Sequence, residues 1–496
     1  MRDGNVLFVT FDQLRADLLD GRLAGLVPLP ALARLAREGT RYANCWTAAV
    51  PCGPARASLL TGLHAFNHRV IRNGAPLARH HATLATELRK LGREPLLFGY
   101  NDVAADPTGR DPADPDFRSY ELPAPGFREI AELRFEAPMG WIGHLRARGL
   151  PVPSPQPQRV WEIYAPRAEG RPARPDDPPL YGAADSDSAW LADRTLEALS
   201  ARRDVPWVAH VTFLRPHPPF TAPEPFNRLV RPEAVPPPLP APDGPAHPFR
   251  TAWFSERACH DLWIGFDGDV AGLDAATAQV LRAVYLGLAA EADAQLGRLL
   301  DWLDAEGLAE RTLVVVTSDH GEMLGDQGYW GKDAPFAAAH RAPLLIRDPR
   351  RPGGEVVPQM TSSLDVAPTI LAWLGAEAPP AMDGRPLPPA AGADPRAALT
   401  EIDWARPGRP SRFERGWGLH PHRCNAAVLR EARWSLVHFN GGLPPLLFDR
   451  EADPEETRDL SAEPGASAEI AWLRAAMLDL RMTRADRRLT GFAFGV

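Results

Sequence analysis

Val50-Pro51-Cys52-Gly53-Pro54-Ala55-Arg56-Ala57-Ser58-Leu59-Leu60-Thr61-Gly62 reads as a loop that turns into a short helix. Pro54 suits a first helical turn, where its missing N–H costs nothing, and Gly62 suits the left-handed residue that ends the helix. Cys52 then stands at the helix N-terminus, where free N–H groups and the dipole favour negative charge. Arg56 is four residues on and shares that face. A nucleophile beside a fixed guanidinium is what attack on an anionic ester requires. A buried cysteine on a capped helix would give the same local pattern, so the rest of the chain has to decide.

Upstream, Asn5-Val6-Leu7-Phe8-Val9-Thr10-Phe11 is an apolar run of strand length, suited to a parallel strand buried on both faces. It ends in Asp12-Gln13, a carboxylate and an amide oxygen, both hard ligands for a divalent ion; a helix cap is the plainer alternative. Thr40 to Ala48 reads as a strand that leads into the Cys52 turn. Downstream the same arrangement recurs. The strand Pro95 to Phe98 runs into Gly99-Tyr100-Asn101-Asp102, and Trp207 to Phe213 runs into Arg215-Pro216-His217-Pro218. Thr312 to Thr317 runs into Ser318-Asp319-His320-Gly321-Glu322, followed by Lys332. Open α/β sheets bind ligands at the carboxyl ends of their strands, so these ends point to one site.

Composition narrows the classes. Net charge is −8, so no basic nucleic-acid surface is implied. Basic residues are nearly all arginine; Lys90 and Lys332 are the lysines. The cysteines Cys45, Cys52, Cys259 and Cys424 show neither a disulfide framework nor zinc-ligand spacing. No apolar stretch approaches a membrane span, and the run Val6 to Val9 is too short for a signal-peptide core. A cytoplasmic setting is therefore expected. Lys90, His64, His68, His80, His81 and His340 read as solvated or structural.

The expected architecture is α/β: a mixed, mostly parallel central sheet flanked by helices over 1–390. Pro-rich excursions at 104–182 and 221–250 run over its edges. A smaller α+β subdomain over 391–496 has short antiparallel strands and a closing helix from Ala466 to Met482. Helices are also expected at Leu29 to Arg37, Thr83 to Leu91, Ser186 to Ser200, Ala275 to Glu306 and Ser363 to Leu374.

These motifs, in this order, resemble the sulfatase group of the alkaline phosphatase superfamily along nearly the whole chain. Cys-x-Pro-x-Arg at Cys52–Arg56 is similar to the signature whose cysteine is oxidised to formylglycine. The phosphonate monoester hydrolase / arylsulfatase branch is resembled by the Asp12-Gln13-x-Arg15 opening, by Arg-Pro-His-Pro-Pro-Phe, by Thr-Ser-Asp-His-Gly-Glu and by the tail Arg484 to Thr490. The resemblance implies an alkaline-phosphatase-like fold and one divalent metal (Mn, Ca, Mg, Fe or Zn) held by Asp12, Gln13, Asp319, His320 and the modified Cys52. It implies substrate-contacting or catalytic roles for Arg56, Asn73, Tyr100, His217 and Lys332. It also implies a small anionic ester as substrate, a formylglycine-generating enzyme as maturation partner and a homo-oligomer.

The implied activity is hydrolysis of phosphonate monoesters and phosphodiesters with promiscuous arylsulfatase activity. A dedicated sulfatase is the nearest alternative, and a non-catalytic binder of anionic esters is the alternative if Cys52 is unmodified. Gln13 bears on this choice, since many sulfatases carry a second acid there; a neutral amide suits singly charged esters. One residue departs from the branch: Asp102 stands where its relatives carry a threonine. Asp102 either faces the leaving group and favours a cationic one, or caps the next turn.

Overall fold

The computed structural model describes residues 3–153, 157–242, 246–257, 261–388 and 396–486. The 390/391 boundary, Cys259 and the tail beyond Asp486 lie outside these residues. Nine strands lie in the first part of the chain: β1 (Asn5–Asp12), β2 (Thr40–Trp46), β3 (Ala49–Val50), β4 (Pro95–Gly99), β5 (Arg128–Glu132), β6 (Val208–Pro216), β7 (Thr312–Ser318), β8 (Leu344–Arg347) and β9 (Glu355–Ser362). Four more follow: β10 (Ala398–Asp403), β11 (Asn425–Arg430), β12 (Trp434–Phe439) and β13 (Leu446–Asp449).

Eight of these form one sheet in the order β5-β4-β6-β1-β7-β8-β2-β9. All neighbours are parallel except at β8, which runs antiparallel to both β7 and β2. All eight residues of β1 are buried, as its unbroken apolar run requires. Successive side chains alternate between faces. Leu7, Val9 and Phe11 enter one core with Val314 and Val316 of β7. Val6 and Phe8 enter the other, with Leu313 and Val315. The helix Ala275–Ala305, N-capped by Asp274, packs on the first face; the helix Val366–Trp373 packs on the second. The 104–182 excursion supplies the edge strand β5 and the helix Met139–Ala147, and its aromatics do pack: the Trp141 and Tyr164 rings stack with centroids 5.4 Å apart.

A second sheet has the order β13-β12-β11-β10-β3, its strands antiparallel except for the β10–β3 pair. The helix Ala466–Arg484 closes it. Here one expectation is corrected: Thr40 to Ala48 is not a single strand leading to the cysteine. The chain leaves the large sheet at Trp46, and the Thr47 N–H turns to the carbonyl of His340 at 2.9 Å. Ala49–Val50 then joins β10 in parallel, Glu401 opposite Ala49 and Ile402 opposite Val50. The small sheet thus holds the residues immediately before Cys52. Among the described residues no helix is long and apolar enough to cross a membrane.

Candidate active site

β4, β6, β1 and β7 are consecutive in the large sheet, and their carboxyl ends carry the polar groups expected from sequence. Asp12 ends β1, Tyr100 follows β4, His217 follows β6, and Asp319 and His320 follow β7. The helix Cys52–Thr61 points its N-terminus at them. It is buried throughout, and Gly62 ends it at φ 65°, a left-handed conformation that glycine adopts without penalty.

Asp12, Cys52, Asp319 and His320 bring one ligand atom each to within 4.8 Å of one another, all buried. The His320 tautomer follows from its neighbour. Nδ1 lies 2.9 Å from the Gly321 carbonyl, which can only accept, so Nδ1 carries the proton. Nε2 therefore offers a lone pair, 3.7 Å from Asp319 Oδ1, 3.9 Å from Asp12 Oδ1 and 3.3 Å from Cys52 Sγ. Electron-pair donors converge with little between them to donate. That set of two carboxylates, an imidazole and a sulfur fits a divalent cation.

Arg56 supplies part of the balancing charge. Its Nη2 donates to Asp12 Oδ2 at 2.7 Å and its Nε to Asp319 Oδ2 at 3.0 Å. Its guanidinium lies 4.1 Å from the centre of the Tyr100 ring, and the Tyr100 hydroxyl donates to Asp12 Oδ2 at 2.6 Å. Burial works against both charges. Even so, the positive charge around it, Arg56 and Lys332 with the two histidines once these are protonated, holds the Asp12 carboxyl well below its usual range. Burial, reinforced by Asp12, pushes the Cys52 thiol up, so it stays protonated rather than becoming a thiolate.

Lys332 reaches in from the opposite wall. Its ammonium donates to Gln13 Oε1 at 2.8 Å and to His217 Nε2 at 3.0 Å. His217 Nδ1 donates to the Pro218 carbonyl at 2.6 Å, which fixes Nε2 as the acceptor. Burial, with Lys332 beside it, lowers His217 to about 4, so the pair holds its proton on lysine. Burial alone would lower Lys332, but the carboxylates around it, Asp12 first among them, outweigh it. Asn73 Oδ1 accepts the Gly53 N–H at 2.8 Å, pinning the nucleophile turn. Gln13 borders the four-residue group; its backbone N–H donates to Asp319 Oδ1 at 3.0 Å.

Asp102 is buried at φ 53°, with Oδ2 3.8 Å from Arg56 Nε. Oδ1 finds no hydrogen-bond partner among the described residues, so it does not cap a turn as one expectation had it. Burial raises its carboxyl to about 7; Arg56 opposes the shift, and Asp12 and Asp319 add to it. Behind it Glu121, buried and beside Asp102, is raised to about 8.

Two supporting residues were not assigned roles from sequence. Glu322 accepts the Leu324 N–H at 2.9 Å and the Gly331 N–H at 2.6 Å, and its other oxygen takes the Gln13 side-chain amide. It thereby fixes both Gln13 and the loop that carries Lys332. Arg15 pairs with Asp17 and Asp326 and donates to the Glu322 and Met323 carbonyls. The signals for them were membership of the quoted motifs and a place within three positions of a strand-end carboxylate. Lys90 is exposed beside Glu87, while His64, His68 and His340 are buried with lowered pKa values, consistent with structural roles.

The chain matches the sulfatase family model over residues 4–376 and the C-terminal model of N-sulphoglucosamine sulphohydrolase over 325–483. It is 36% identical, over 98% of its length and 97% of the relative's, to the multifunctional alkaline phosphatase superfamily protein PehA of Trinickia caryophylli. It is 28% identical to a choline-sulfatase of Rhizobium meliloti over 97% of this chain and 87% of that one. Among solved structures, the phosphonate monoester hydrolase SpPMH from Silicibacter pomeroyi superposes with a TM-score of 0.91 at 40% identity, covering 98% of this chain and 97% of that one. The phosphonate monoester hydrolase of Agrobacterium radiobacter gives 0.88 at 36% identity with the same coverage. With a family match over most of its length and a full-length likeness to these hydrolases, the chain belongs to the sulfatase family of the alkaline phosphatase superfamily.

Proposed function

We propose that this enzyme hydrolyses phosphonate monoesters and phosphodiesters, with aryl sulfates as secondary substrates, using a formylglycine made from Cys52 and one divalent cation. The observation that carries the reading is the convergence of Asp12, Asp319, His320 Nε2 and Cys52 Sγ beside Arg56, opposite the Lys332–His217 pair. The full-length likeness to two phosphonate monoester hydrolases supports it.

Asp12, Asp319, His320 and residue 52 would hold the cation, with the Gln13 amide oxygen as a further donor. A divalent ion there supplies positive charge that acidifies a nearby hydroxyl and polarises an ester oxygen. Formylglycine, once formed by the maturation enzyme, supplies a hydrated aldehyde as the nucleophile. Arg56 and Asn73 orient that group: the guanidinium neutralises the carboxylates beneath it, and the Asn73 oxygen holds the Gly53 N–H. Lys332, held by Gln13 and His217, presents an ammonium that would stabilise charge developing on the ester oxygens and supply a proton to a departing alkoxide. His217 Nε2 accepts from Lys332 and so holds the ammonium in place; once Lys332 has given up its proton, the same nitrogen would be free to accept one from a neighbouring hydroxyl. Two permanent carboxylates against a dication, Arg56 and Lys332 would leave a net positive charge, which suits an anionic ester.

The test is peptide mass spectrometry across Cys52 together with metal analysis of the same sample. Specificity constants on a phenylphosphonate ester, a phosphodiester and an aryl sulfate complete it. Oxidised Cys52, about one bound divalent ion per chain and preference for the phosphorus esters are expected. A larger constant on the sulfate would replace this reading with that of a dedicated sulfatase, and an unmodified Cys52 in an active sample would overturn the nucleophile.

A further inference from the structure

Next to the site lies a cavity of about 700 Å³ whose inner end is lined by Pro51, Asn73 and Lys332. Its outer wall is built by the segment after β10, from Asp403 to Arg415, facing Glu256 and Arg257. Arg72, Arg257, Arg406, Arg409, Arg412 and Arg415 line it with Lys332, against the acids Glu256, Asp333 and Asp403. In a chain of net charge −8, this wall has seven basic residues facing three acidic ones.

The acids, with Asp267 beside Arg257, cancel only part of the wall. Glu256 is taken by Arg415, and Asp403 Oδ1 accepts the Ala405 N–H at 2.9 Å. Arg406 and Arg409 are exposed on the loop that holds Pro407 and Pro410, and among the described residues neither lies within ion-pair distance of a carboxylate. The frame beneath them is fixed. The Trp404 and Phe413 rings sit 5.2 Å apart, the Arg412 guanidinium lies 4.4 Å from the Trp253 ring centre, and Ser411 and Glu414 close a capping box on the helix Arg412–Trp417.

We propose that this wall is a second anion subsite, so that the preferred esters carry a further carboxylate or phosphate on the leaving group. The inference rests on the ester-hydrolase reading above and names the substrate class for it. Guanidinium groups on a braced loop at the mouth of a cleft recognise carboxylate or phosphate and steer anions inward. They also run against the cationic leaving group that Asp102 suggested from sequence: Asp102 lies 3.8 Å from Arg56 and does not line this cavity, whose basic wall repels a cation.

The test compares two aryl phenylphosphonates, the 4-carboxyphenyl ester and its neutral 4-carbamoylphenyl counterpart, on the matured, metal-loaded full chain. The ratio of their kcat/KM values is read in the native enzyme and in R406S/R409S, so that intrinsic leaving-group reactivity cancels. The ratio is expected to fall about fivefold in the variant, and to fall in the native enzyme as salt is raised, because exposed pairs are screened. The constant on the neutral ester stays within about twofold. A ratio indifferent to both the substitution and salt overturns the subsite. If the native enzyme turned over neither ester, the hydrolase reading itself would fail. The subsite would then still be decided by binding of the two esters to the C52S chain: a tighter carboxylate ester, weakened by R406S/R409S, supports it, and equal affinities overturn it.

Discussion

Arg56, Arg215 and Arg430 are all fully buried and all lie over an aromatic ring, yet they sit in differently balanced surroundings. Arg430 meets a single acid, Glu456, through two bonds of 2.8 and 2.9 Å, and donates to His340 as well. Arg215 meets Asp187 at 3.2 Å, with Glu291 close by. Arg56 meets three acids: Asp12 at 2.7 Å, Asp319 at 3.0 Å and Asp102 at 3.8 Å. One acid balances one guanidinium. With two, burial and Asp187 raise Glu291 to about 7, so a proton makes up the difference. With three, a proton on Asp102 still leaves Asp12 and Asp319 against one guanidinium, and the remaining negative charge faces Lys332 and the lone pair of His320. Among these three, the count of buried acids separates a balanced structural pair from a cluster with negative charge to spare.

The largest effects should separate the two ends of this series. Arg56→Lys keeps the charge but loses the fork to Asp12 and Asp319, and kcat/KM on a phosphonate ester should drop about 10³-fold, near 4 kcal/mol. Glu456→Gln should instead cost about 3 kcal/mol in urea unfolding by leaving Arg430 buried and unpaired. Its kcat per folded molecule should stay within about twofold; a collapse of activity there would erase the distinction.

Chelation should lower Tm by an amount equivalent to about 2 kcal/mol and abolish turnover, both restored by added metal. In the metal-free state, Asp319→Asn removes part of the carboxylate surplus. Its Tm should equal or exceed that of the metal-free native chain and should no longer respond to metal. A metal-free Asp319→Asn that melts well below its parent would argue that Arg56 and Asp319 form an ordinary balanced pair.

The smallest effect concerns the middle case. The folded chain holds a proton on Glu291 that the unfolded chain releases above its usual value near 4.5. Stability from this group is therefore present at low pH and is lost as pH rises toward 7, beyond which the loss is complete. Glu291→Gln keeps the acceptor for the Ser186 and Ser188 hydroxyls. It should flatten the fall in stability between pH 5 and 8 by of order 1 kcal/mol. An unchanged slope would place the proton elsewhere.

Much of the site was legible because Asp12, Asp319 and His320 follow apolar runs long enough to be central strands, Val6–Phe11 before Asp12 and Leu313–Thr317 before Asp319. The spacing of Cys52 and Arg56 gave one helix face, and that face is where the two groups meet the carboxylates. What stayed hidden depends on contacts between distant segments. Nothing local tells that Ala49–Val50 leaves the large sheet to pair with Glu401–Ile402, since two residues carry no readable alternation. The position of Glu322 behind Gln13 depends on how the loop to Gly331 folds back, and the tilt of Asp102 toward Arg56 depends on a positive φ that sequence does not announce for aspartate. The arginine wall needed the small sheet to bring Asp403–Arg415 beside Lys332, although the two are far apart in the chain.

The pairing of Ala49–Val50 with the small sheet has a consequence in time. Cys52 leaves the ribosome early, whereas the strand that locks the residues just before it into place, Ala398–Asp403, is synthesised about 350 residues later. At ordinary elongation speeds that leaves roughly 20–70 s during which the thiol is already made but its enclosure is not. For the proposed oxidation of Cys52, this interval is the maturation enzyme's opportunity: once the last hundred residues close, a side chain only 3% exposed is out of another protein's reach. Codon choice or a pause between those two points would then tune how much of the product ever becomes active.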